Sequence, residues 1–199
     1  MKMIATRLAR AGSALLLLGA LAACAQEPSG TAATGDQGAS VSKAQVLDAK
    51  SDAALQALFE QVPETKLLAD NAKGILIFPE IIKAGLIIGG QIGEGALRVN
   101  GASQGYYVSS GLSYGLQAGV QKFGYAMFFM SDADMSYLDE SAGWEVGGAP
   151  SLVIADVGIA RSLSTSSLRD GIYVFFFSQK GLMAGLGLQG TKITRFDPN

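Results

Sequence analysis

Three groupings of reactive residues invite a chemical reading. Gly111-Leu112-Ser113-Tyr114-Gly115 has the spacing of a nucleophile elbow, where a strained strand-to-helix turn presents a serine to a histidine base. The chain contains no histidine. Serine–histidine and cysteine–histidine pairs are therefore excluded, and the commonest ligand of zinc, copper and iron is missing. Gly185-Leu186-Gly187-Leu188-Gln189-Gly190 has the spacing of a dinucleotide loop, but only nine residues follow Gly190. That leaves no room for the helix and acidic residue such a site requires. Asp132, Asp134, Asp139 and Glu140 gather acidic oxygen. A calcium loop of the EF-hand type starting at Asp132 would need glycine where Tyr137 stands, so a charged helix face is the expected reading. No catalytic set, metal or cofactor is expected, and the chain is not read as an enzyme.

The residue with the most specific chemistry is Cys24, the single cysteine. Lys2, Arg7 and Arg10 precede the apolar run Ala11 to Ala20, which is too short for a bilayer span of about 20 residues and has the order of a signal peptide. Leu21-Ala22-Ala23-Cys24 then resembles a bacterial lipobox. A thiol takes a diacylglycerol as a thioether, and small residues before it give the signal peptidase access to the bond. Cys24 is expected to become an acylated N terminus held by two or three chains, which anchor where one chain would release. Ala25 and Gln26 follow instead of an aspartate, pointing to the outer membrane, facing the periplasm.

These assignments divide the chain into a signal peptide over 1–23, a lipidated N terminus and flexible tether over 24–41, and one folded domain over 42–199. Removing Lys2, Arg7 and Arg10 changes the formal charge from -2 to -5, since 12 basic residues then face 17 acidic ones. This balance argues against nucleic acid as a partner.

The domain begins with helical spacing. Ser42 is a candidate N-cap before Leu47, Leu55, Leu58, Phe59 and Val62, and Val62-Pro63 should end that helix and open a second one through Leu67 and Leu68 to Asn71. After Lys73 the pattern becomes that of strands: 74–78 ended by Pro79, then 86–97, 106–120, 123–130, 152–160, 172–178 and 182–191. A helix is expected over 131–141, capped by Ser131. Residues 111, 113, 115, 117 and 119 share one nearly bare face, while Leu112, Tyr114, Leu116, Ala118 and Val120 share the other. Gly89, Gln91, Gly93 and Gly95, and Gly181, Gly185 and Gly187, repeat the arrangement. Bare faces let a sheet bend or another backbone approach. The expected fold is α+β: a strongly curved antiparallel sheet or small barrel, with N-terminal helices and one inserted helix.

Residues 72–95, AKGILIFPEIIKAGLIIGGQIGEG, closely resemble the signature of the SYLF domain, through Ala72 and Gly74, Phe78-Pro79, Lys83-Ala84-Gly85, Gly89-Gly90, Gly93 and Gly95. The resemblance extends over roughly 42–196. It implies a non-catalytic lipid-binding module; eukaryotic members prefer phosphoinositides and some bundle actin. The first helix here sets Lys43 and Lys50 against Asp48, Asp52 and Glu60. Such balance gains little from an anionic surface, where each basic residue is worth about 1 kcal/mol. Lys73 and Lys83 flank the 74–79 strand and are the candidate lipid-headgroup residues, with Arg98, Lys122, Arg161 and Lys180 joining them only if the fold gathers them. The expected partners are membrane phospholipid and the covalent N-terminal lipid. The alternative is an adaptor lipoprotein whose domain binds an envelope protein.

Overall fold

The computed structural model describes residues 41–139, 144–146, 152–155, 158, 162 and 171–199. The expected signal peptide and all of the tether before Val41 lie outside them. The first helix, α1 (Lys43–Gln61), starts where its capping chemistry predicts: the Gln45 amide donates to Ser42 Oγ at 3.2 Å, and the Ser42 amide donates to Gln45 Oε1 at 3.0 Å. Leu47, Leu58 and Val62 are buried. Pro63 has no amide to continue the helix. It forms a turn in which the amide and the hydroxyl of Thr65 both donate to the Val62 carbonyl, so α2 (Thr65–Asn71) starts two residues later than expected.

The strands are longer than the sequence suggests. β1 (Gly74–Val99), β2 (Ala102–Phe129) and β5 (Ile172–Phe196) form the sheet with two short strands, β3 (Trp144–Val146) and β4 (Leu152–Ala155). Its order is β1-β2-β5-β3; β4 joins β5 in parallel and every other pair is antiparallel. The sheet is open, so the curved-sheet expectation holds and the barrel does not. Pro79 does not end its strand. Pro79 and Glu80 together oppose Gly124, between the pairs Phe78–Tyr125 and Ile81–Phe123. This bulge sits on an edge strand, where proline's missing N–H costs little. The expected break near 179–181 is instead a kink inside β5, with left-handed backbone at Ser178 (φ 52°) and Gly181 (φ 91°). Ser131 caps α3 (Asp132–Ser136), which runs into a 3₁₀ turn at Tyr137–Asp139.

A strand of 26 residues laid straight would run roughly 85 Å, too long for a domain of this size. The sheet therefore doubles back, and each long strand has two arms. One apolar cluster lies between the arms, joining Leu76, Phe78 and Ile81 to Leu97, Tyr107 and Ile193. The second joins the alternate residues Ile75, Ile77, Phe128, Phe175 and Phe177 to Leu58, Val62 and Leu68 of the helices. With both faces of the first arm covered, its strands read as unbroken apolar runs. The Tyr125 hydroxyl bonds to Ser109 Oγ at 2.8 Å, and burial pushes its phenol pKa well above the ordinary range.

Arg98 fastens α1 to the second arm. Its guanidinium donates to Asp52 Oδ1 at 2.6 Å, to Asp48 Oδ1 at 3.1 Å and to Ser103 Oγ. Tyr106 donates to Asp48 Oδ2 at 3.1 Å, and its pKa is raised by desolvation and then by that bond. Both apolar clusters fall within one compact unit, Ala39–Asn199. This unit carries its own core and can fold alone.

Candidate functional site

The turn between the two arms of β1 is made by close backbone approach. A Cβ on Gly85 would lie 2.6 Å from the Gly89 Cα, and one on Gly93 would lie 2.4 Å from the Glu80 carbonyl oxygen. Neither position has room for a side chain. At the crest Ile87 adopts φ 69°, a conformation that a β-branched residue adopts at a cost of about 1–3 kcal/mol. Three residues of β2, 115–117, pass opposite this single residue, between the pairs Leu86–Ala118 and Ile88–Tyr114.

The bend displays apolar side chains instead of burying them. Leu86 is 73% exposed, Ile88 65%, Leu112 75% and Tyr114 67%, and Ile82, Ile87, Ile92 and Val120 are exposed too. The register makes them one patch: Ile88 faces Tyr114 directly, Leu112 lies across from Gly90, and Val120 from Ala84. Scattered exposed apolar residues are ordinary, but a contiguous patch marks a surface that meets protein or lipid. The two faces expected for 111–120 are thus present, with Ser113 buried and Leu112, Tyr114 and Val120 exposed. Ser113 sits in mid-strand in β2, and 185–190 lie within β5. Asp134 is a buried cap, accepting from the Ser131 amide and hydroxyl and from the Gly171 amide.

Lysines border the apolar patch. Lys122 stands directly opposite Lys180 between β2 and β5, and Lys83 pairs with Gln121 one step nearer the crest. Like charges directly opposed repel; here Glu80 lies 3.3 Å from Lys122 Nζ. Lys83 is half-buried at the edge of the bend. Lys73 is exposed at the other end of the arm, where its amide donates to the Phe129 carbonyl. Ten residues of strand, roughly 33 Å, separate it from Lys83. The fold thus sets Lys122 and Lys180 together on the face shared with Ile82, turns Lys83 to the other face of β1, leaves Lys73 apart, and commits Arg98 to α1; Arg161 lies outside the described residues. The apolar crest itself escaped the sequence reading, although Leu86-Ile87-Ile88 broke the alternation that a one-sided strand would show.

Next to the bend an open groove of about 940 Å³ is lined by Ile82 and Ala84 of the first arm and by Gly90, Ile92, Leu112 and Lys192 of the second. Among the described residues no helix is long and apolar enough to cross a membrane, and no cluster of three or more acidic or cysteine side chains could hold a metal ion. Residues 110–198 match the family model described as Ysc84, Las17-binding protein actin regulator. No curated protein matches the chain.

Proposed function

The chain carries a domain of the SYLF (Ysc84) family, associated with lipid binding or actin regulation, and from that premise we propose that it binds phospholipid membranes by inserting the bend of β1 and β2. The observation that carries this reading is the contiguous exposed patch at Leu86, Ile88, Leu112 and Tyr114, with Lys122 and Lys180 at its border. The apolar crest enters the acyl layer, and the lysines sit at headgroup level. Each crest side chain, about two-thirds exposed, gains about 1–2 kcal/mol on leaving water. Lys180 adds up to about 1 kcal/mol at an anionic surface, and Lys122 adds less because it is paired with Glu80.

In this reading Cys24 supplies a permanent anchor in the bacterial envelope, on the periplasmic face of the outer membrane, and residues 25–41 tether the domain to it. The domain's lipid contact is with phospholipid generally, since the described residues of the bend form no dense basic surface of the kind that phosphoinositide selection would require. The test is co-sedimentation of residues 39–199, which lack the anchor, with neutral and anionic phospholipid vesicles. The unit should pellet with both, and more with anionic vesicles at low salt. Failure to pellet with either would overturn the proposal and favour a protein partner for the bend.

A further inference from the structure

The groove beside the bend differs from the patch at the crest, because it is concave and has a size at which small-molecule sites occur. Its floor is bare at Gly90 and Gly190, which flank Leu112 in the register. A Cβ on Gly190 would meet nothing within 4 Å, and one on Gly90 only the Gly111 carbonyl oxygen at 3.8 Å. Neither residue uses left-handed backbone. Packing and conformation therefore leave both positions open to a larger residue, unlike Gly85 and Gly93, and the space above them is real.

The walls restrict what the groove can hold. In the stretch Ser110–Leu112, β2 is paired on both sides, with Gly90–Ile92 and with Gly190–Lys192. A peptide laid on this face would find no ladder partners, and its own amides would lose water without compensation. Among the described residues no aromatic side chain lines the groove, so they offer no stacking surface for a base or a sugar ring. Ile82, Ile92 and Leu112 offer aliphatic contact to a flexible hydrocarbon. Among the described residues Lys192 is the one charged member of the lining; it is exposed, and its register neighbour on β3 is Glu145.

We infer that this groove binds one acyl chain of an anionic single-chain amphiphile, a fatty acid or a lysophospholipid, with its acidic head at Lys192. The inference rests on the reading of the domain as a lipid binder, but it concerns a stoichiometric site that insertion of the crest does not require.

The experiment is titration of residues 39–199 with cis-parinaric acid, followed by its fluorescence. Saturable one-to-one binding is expected, displaced by palmitate or by lysophosphatidylglycerol and not by inorganic phosphate; whichever displaces more strongly identifies the source of the chain. Gly190→Leu, and independently Gly90→Leu, should abolish binding by filling the floor while leaving the circular dichroism spectrum intact. Lys192→Ala should weaken it about tenfold, the effect of one charge-assisted bond. Ile88→Asp should keep parinarate binding while losing vesicles, and Gly190→Leu should do the reverse, so the two readings fail separately. Absence of saturable binding, or binding unchanged in Gly190→Leu, Gly90→Leu and Lys192→Ala, would overturn the inference.

Discussion

Ile88→Asp is the perturbation whose consequence can be worked out most fully. Ile88 is 65% exposed and stands opposite Tyr114 at the crest. Its removal forfeits about 1–2 kcal/mol of apolar transfer. A carboxylate carried into hydrocarbon costs about 2.5–3.5 kcal/mol, less if it stops at headgroup depth. Together these weaken vesicle partitioning about a hundredfold or more. The same substitution on an exposed strand position should change folding stability by only about 0.5 kcal/mol. Partitioning of residues 39–199 into neutral vesicles, measured beside a thermal melt, separates the two effects. A variant that melts like the parent and partitions within a factor of about two of it would refute the assignment of the crest.

Other consequences follow from the same geometry. Lys180→Glu, opposite Lys122 beside the bend, should weaken binding to anionic vesicles several-fold, while Lys73→Glu, at the far end of the first arm, should leave it unchanged; co-sedimentation at low salt distinguishes them. Arg98→Met leaves Asp48 and Asp52 without their cation. A buried pair would cost more, but Asp52 is well exposed, so a loss of about 2–4 kcal/mol and a melting temperature lower by roughly 4–16 °C are expected from calorimetry. Tyr125 has its folded pKa raised by burial. Its contribution is complete below the unfolded value of about 10 and is lost as pH rises above it, so urea unfolding across that range should show a decline that is shallower in Tyr125→Phe.

Local chemistry was readable where it acts over a few residues. Ser42 and Ser131 cap helices because their partners, Gln45 and Asp134, lie three residues away. Val62-Pro63 stops α1 for a reason carried by the proline ring alone. The long strands were not readable, because their continuity is decided by partners far along the chain. Whether Pro79 ends a strand or sits in a bulge depends on Gly124, and on β1 being an edge. Bare glycine faces were visible, but they could not reveal that the sheet doubles back at Gly85–Gly89 or that Leu86 to Ile88 face outward there. Lys73 and Lys83 seemed equivalent because both flank one apolar run. Only the position of the bend separates them.

Insertion of the crest is tested most directly by placing a fluorophore there. Ile88→Trp in residues 39–199, compared with the parent and its single Trp144, should give an added emission that shifts to the blue with vesicles and is quenched by brominated acyl chains. Vesicle binding in which that added emission neither shifts nor is quenched would contradict insertion of the bend.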